Sequence, residues 1–249
     1  MSRQNLRKKR MRARKQSLGI FVILLGLASV SAVATPQSQE SKSSASLENV
    51  LKKMDAAASN FRTTQADFVW EQYQKVVNDR DTQKGTVYYR RAGKDIQMMA
   101  EVKEPERKYV LFKDGKLQVY QPKIEQVMIY ATGKNREEIE SYLVLGFGGS
   151  GQDLLKAFAV SYQGPESIDN VSTAKLQLIP KSEKLHNTFK EIFLWIDLER
   201  GISVQQQFFE PQGDYRLAKY SSVRLNEKIP GDVFQLKTTG KTQFVSPRG

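Results

Sequence analysis

Val87-Tyr88-Tyr89-Arg90-Arg91, then a turn at Ala92-Gly93, then Ile96-Gln97-Met98-Met99-Ala100-Glu101-Val102: this stretch decides the fold class, because its apolar residues recur with a period of two. Ile96, Met98, Ala100 and Val102 alternate with Gln97, Met99, Glu101 and Lys103, the pattern of an antiparallel strand with one covered face. On the preceding strand Val87, Tyr89 and Arg91 share a face, which puts an arginine on an otherwise apolar side. Arg91 could end its strand in water. It could instead be buried, and would then need carboxylate or carbonyl partners such as the free carbonyls of a helix end.

The same period extends in both directions. Segments near Gln65–Gln74, Lys84–Arg91, Ile96–Val102, Lys108–Phe112, Lys116–Gln121 and Gln126–Tyr130 are rich in Val, Ile, Tyr and Phe, with turn residues such as Lys113-Asp114-Gly115 between them. Strands resume at Ala159–Tyr162, Thr173–Leu178, Phe189–Asp197, Ser203–Phe209 and Asp214–Arg224. Short turns without intervening helices mean an antiparallel meander. About eleven strands exceed what a twisted open sheet carries without curling. The expected fold is therefore mainly β with some α: an unclosed antiparallel β-barrel covered by lid helices.

Two helical regions break the period. Ser46 can cap a helix carrying Leu47, Val50, Leu51, Met54, Ala58 and Phe61 on one side. A second region runs from Asn135 to Phe158, interrupted by Gly146, Gly148, Gly149 and Gly151, which read as the hinge of a mobile lid. The spelling Gly146-x-Gly148-x-x-Gly151 matches a dinucleotide fingerprint, but it joins two helical pieces and does not lead from a parallel strand into a helix, so nucleotide binding is rejected.

The N-terminus reads as an export signal over residues 1–34. Eight cations from Arg3 to Lys15 precede an apolar run from Leu18 to Leu27, and the triplet Ala32-Val33-Ala34 follows. A membrane-spanning helix needs about 20 strongly apolar residues, and this run softens at Ala28, Ser29 and Ser31. Residues 35–45 are Ser/Gln-rich and read as a disordered linker, leaving a single domain over 46–249.

Charge follows the same division. The chain has 39 Lys and Arg against 27 Asp and Glu, but removing the leader takes eight cations and no anion, so the remainder is only mildly basic. No concentrated cationic face remains to mark a nucleic-acid binder, while a transient contact with a membrane surface stays compatible. With no cysteine and one histidine, His186, thiolate metal sites, disulfides and multi-histidine centres are excluded. No carboxylate pair is marked out for acid/base work, so neither an enzyme nor a cofactor or metal is expected.

The abundant aromatics can line a cavity that an incompletely closed sheet leaves open. Phe68, Trp70, Val87, Tyr89, Ile96, Met98, Val102, Leu143, Phe147, Leu154, Phe193 and Trp195 are the candidates for its wall.

The order of Gly85-x-x-Tyr88-Tyr89-x-Arg91, Pro105, Asp114-Gly115-Lys116 and Tyr120-x-Pro122-x-x-x-Gln126-Val127 resembles the periplasmic outer-membrane lipoprotein carrier (LolA-like) family. Trp195-Ile196-Asp197, Phe208-x-Glu210-Pro211-x-Gly213-Asp214-Tyr215 and Asn226-x-x-Ile229-Pro230 look like its C-terminal strands. The resemblance implies a periplasmic monomer that shelters the acyl chains of lipoproteins or related lipids. It implies receipt from an inner-membrane transporter complex and delivery to an outer-membrane acceptor, without cofactor or catalysis. Arg91 matches the family's cavity arginine, which bonds lid carbonyls. An envelope interaction or sensor module using the same barrel without lipid transfer is the alternative.

The leader yields a first test. Intact-mass measurement of the exported protein is expected to give an N-terminus at Thr35, whereas recovery of the full chain in the inner membrane would show a retained anchor.

Overall fold

The computed structural model describes residues 37–93, 95–131, 133 and 145–246. The expected export signal at 1–34, the first part of the interrupted helical region and the wall candidate Leu143 lie outside these. Among the described residues no helix is long and apolar enough to cross a membrane.

Twelve strands form one sheet. They are β1 (Thr63–Gln74), β2 (Asp79–Ala92), β3 (Asp95–Glu104), β4 (Lys108–Lys113), β5 (Lys116–Gln121), β6 (Gln126–Ala131), β7 (Phe158–Ile168), β8 (Val171–Pro180), β9 (Glu191–Asp197), β10 (Ser203–Phe209), β11 (Tyr215–Leu225) and β12 (Gln243–Val245). The spatial order is β12-β6-β5-β4-β3-β2-β1-β11-β10-β9-β8-β7, so β12 and β7 are edges and the sheet is not closed. Eleven of these match the expected segments. The twelfth, β12, was not expected, and it pairs in parallel with β6, Phe244 opposite Val127.

One ladder joins the two meanders. β1 pairs with β11 from Thr64 opposite Leu225 to Tyr73 opposite Tyr215. Asn226 closes that seam: its Oδ1 accepts from Arg62 N at 2.8 Å and its own N donates to Thr63 O at 2.8 Å. The residue holds a left-handed conformation, φ 60°, which asparagine tolerates better than most.

Helix α1 (Gln37–Asn60) lies against the inner face of the sheet. It starts nine residues before Ser46, so residues 37–45 are helical where a disordered linker over 35–45 was expected; this stretch contains no Gly or Pro to interrupt a turn. Its Val50, Leu51 and Met54 pack with Leu176, Leu178, Ile192, Leu194 and Ile196 of β8 and β9. Phe61, just past its end, enters a second cluster with Ala66, Phe68, Val87, Tyr89, Ile96, Met98, Val102, Phe112, Phe147 and Ile202. Two short helices, α2 (Gly151–Ala157) and α3 (Glu183–His186), are capped by Ser150 and Ser182.

The turn between β9 and β10 docks on α1. Asp197 Oδ1 accepts from the backbone of Glu199 and Arg200, and Oδ2 from Arg200 Nε at 2.6 Å. Burial pushes this carboxyl up, but the Arg200 side chain and the two amides outweigh it and hold it below the usual carboxylate range. Lys53 Nζ then donates to Leu198 O at 2.6 Å.

The opposite face has a cover of its own. Phe234, in a 3₁₀ turn at Gly231–Phe234, packs with Met99 and Leu111, and the Arg90 guanidinium lies 4.2 Å from the centre of its ring. Both faces of β2 and β3 are therefore covered, which leaves the strands little room to separate.

Gly85 reports how tight that region is. A Cβ there would stand 2.0 Å from Glu101 O and 3.0 Å from the Phe68 ring, at an irregularity in the β2–β3 register. Gly85→Ala is expected to destabilise by about 1–3 kcal/mol through overpacking, measured as a lowered urea midpoint. An unchanged midpoint would mean the two strands separate freely there.

Candidate functional site

The site is the inner face of β1–β3 and β10–β11 together with the loop that covers it. Parity along β1 and β2 turns Phe68, Trp70, Val87, Tyr89 and Arg91 to one side, and the ladder to β3 adds Ile96, Met98 and Val102. All of these wall candidates except the half-buried Trp70 and the polar Arg91 are buried. Leu154 of α2 joins the neighbouring cluster with α1, on the β8–β9 side.

Phe193 and Trp195 do not line this face. Ile192, Leu194 and Ile196 point inward from β9, so the two aromatics point outward. Their rings are 6.2 Å apart, with Lys175 Nζ within 5.1 Å of both centroids. β9 is apolar on both sides, and period alone does not say which side faces in.

Phe147 sits at the middle of the site. It is fully buried, stacks on Tyr89 at 5.6 Å, and meets Tyr220 edge-on at 4.6 Å. Desolvation pushes the hydroxyl of Tyr89 up from its ordinary pKa and that of Tyr220 in the same direction, so both stay neutral. The ring therefore fills an aromatic slot between β2 and β11.

Among the described residues, three hydrogen bonds hold the loop that carries Phe147. Gln206 Nε2 donates to Leu145 O, Ser203 N to Gly146 O at 2.8 Å, and Arg91 Nη2 to Gly148 O at 3.1 Å. Tyr220 OH donates to Gln206 Oε1 at 3.3 Å. Arg91 thus combines both alternatives: it is exposed at its strand end, and it still reaches a loop carbonyl, with its guanidinium 5.6 Å from the Phe61 ring centre. Ser203 and Gln206 were not among the expected site residues. Counting back by two from the apolar Phe208 places Gln206 on the inner side, and that signal was available.

The loop glycines serve close approach. A Cβ on Gly146, φ 80°, would stand 2.2 Å from Ser203 Cβ, and one on Gly148, φ 119°, 2.7 Å from the Phe61 ring. A Cβ on Gly151 would come within 2.8 Å of Leu51. Loop and wall are consequently in direct backbone contact.

The family model of the outer membrane lipoprotein carrier protein LolA matches residues 59–237. No curated protein matches the chain. Among solved structures, an uncharacterized conserved protein from Thermus thermophilus superposes with a TM-score of 0.52 at 11% identity, covering 81% of this chain and 99% of that one. MucB superposes with a TM-score of 0.50 at 13% identity, covering 77% of this chain and 63% of that one, so this chain spans less than two thirds of MucB. At these identities the likeness is one of fold.

Removing the central ring tests the packing. Phe147→Ala is expected to lower stability by up to about 3–5 kcal/mol and to raise the fluorescence of an added apolar dye, because the slot between Tyr89 and Tyr220 is left empty. Wild-type stability and dye binding together would show that the ring fills no cavity.

Proposed function

The chain belongs to the family of the outer membrane lipoprotein carrier protein LolA, and from that premise we propose that it is an exported, periplasmic carrier. It shelters the acyl chains of lipoproteins or related lipids against the inner face of its sheet and moves them from the inner to the outer membrane. The observation that carries this reading is part of the cover of that face: the Phe147 ring, carried on a loop whose carbonyls are held by Gln206, Ser203 N and Arg91. Such a cover can be displaced without disturbing the sheet ladder.

Acyl chains do not cross water unaided at a useful rate, since each buried methylene contributes about 0.8 kcal/mol. A carrier must bury them and then release them. Regular secondary structure over the whole face would prevent the first, and a rigid open pocket would hinder the second. The step is one of binding and transfer, with no bond made or broken. Brief contact with a membrane surface belongs to the same reading, and the β1–β2 turn offers Val76 and Val77, which are 91% and 65% exposed, for it. Partners are an inner-membrane transporter and an outer-membrane acceptor.

Native mass spectrometry of the protein purified from an envelope fraction is expected to show a bound lipid or lipopeptide. A co-purifying protein without lipid would favour an interaction or sensor module instead. In a reconstituted transfer assay Arg91→Leu is expected to load cargo but release it more slowly, having lost the Gly148 contact that recloses the loop. Wild-type transfer would remove Arg91 from the mechanism.

A further inference from the structure

The loop that covers the inner face has the chemical outline of a ligand. Within four residues it presents two buried apolar groups, Leu145 and the Phe147 ring, and three carbonyl oxygens, those of Leu145, Gly146 and Gly148, each accepting a hydrogen bond from a different group: Gln206, Ser203 N and Arg91. The Gln206 amide is oriented by Tyr220, whose hydroxyl donates to Oε1 and leaves Nε2 aimed at the loop. Further along the same face lies a spare polar group: Thr64 Oγ1, on the strand position opposite Tyr89, is fully buried and has no hydrogen-bond partner among the described residues.

Hydrocarbon joined to closely spaced carbonyls is also the outline of an acylated head, in which each chain ends in an ester or amide. We propose that Gln206 and Ser203 N, with Arg91 at the rim, form a subsite for the ester carbonyls of the cargo, and that Leu145–Gly148 occupies it in the empty protein. This rests on the carrier reading and specifies the ligand further: an acyl ester, distinguished from hydrocarbon of equal length. Gln206 and Ser203 are 5% and 0% exposed, so when the loop withdraws their donors face an apolar space. An ester pairs them again. An ether buries the same methylenes but lacks the carbonyl oxygen, leaving the donors at best a weaker and displaced acceptor, which is how sites built around hydrogen bonds disfavour analogues that lack the matching group. Arg91 is exposed and can turn to water, so the discrimination resides in Gln206 and Ser203 N.

The test compares two synthetic lipopeptides with the same peptide and two sixteen-carbon chains, joined through ester links in one and ether links in the other. Affinities for the full mature protein are measured by displacement of a fluorescent lipid. The ester form is expected to bind about tenfold more tightly, the effect of roughly one buried hydrogen bond. The ratio should fall toward one in Gln206→Leu, with folding checked by circular dichroism. Equal affinity of the two lipopeptides for the wild type overturns the subsite and leaves the carrier reading standing, a result that needs no variant. Binding of neither overturns both. A tenfold preference that persists in folded Gln206→Leu overturns the assignment to that residue.

Discussion

A sheet of twelve strands whose edges do not meet has to cover its inner face with something other than itself, and the rest of this structure follows from that constraint. The β1–β11 ladder gathers two meanders into one surface, so the inward residues of β1–β3 and of β8–β11 form one apolar wall. Helix α1 covers the β8–β9 side with Val50, Leu51 and Met54, a permanent arrangement tied down through Lys53 and the β9–β10 turn. Over β1–β3, among the described residues, the cover combines Phe61 at the end of α1 with Phe147 on a loop. On the carrier reading, the loop is the part of that cover that exchanges.

Much of this was legible in the sequence because period two marks most of the longer strands. β3 alternates clearly in sequence, although its second face is covered as well: Gln97 and Met99 are buried on the Phe234 side. β12 was not legible: three residues, all exposed, carry no alternation to read. β9 misled for the opposite reason, since Ile192 through Ile196 is apolar at every position and size favoured the two aromatics that face outward. The true start of α1 is hidden because Ser46 is a good cap, yet nothing upstream of it forces the helix to begin there.

The loop shows a different limit. Its glycines announced backbone freedom, and freedom reads equally as a hinge or as close approach. The clashes that a Cβ would meet at Gly146 and Gly148 show close approach, which no one-dimensional pattern encodes. Period two puts Arg91 on the correct face, but its partner depends on where the loop folds back. A large aromatic bracketed by glycines, as Phe147 is, marks a loop that has somewhere apolar to go.

The energetic scale of the cover bears on what can displace it. Burying one Phe side chain is worth about 1.5–3 kcal/mol, while an acyl chain of sixteen carbons brings about 12 kcal/mol at roughly 0.8 per methylene. Long chains therefore outcompete the ring by a wide margin. A molecule with only two or three methylenes offers no more than the ring does, and it must also replace three hydrogen bonds that are already made. On the carrier reading the loop would then set a lower limit on the ligand: it keeps an apolar face out of water in the empty protein and would exclude small apolar solutes, while subtracting only a minor part of the affinity for a long acyl chain.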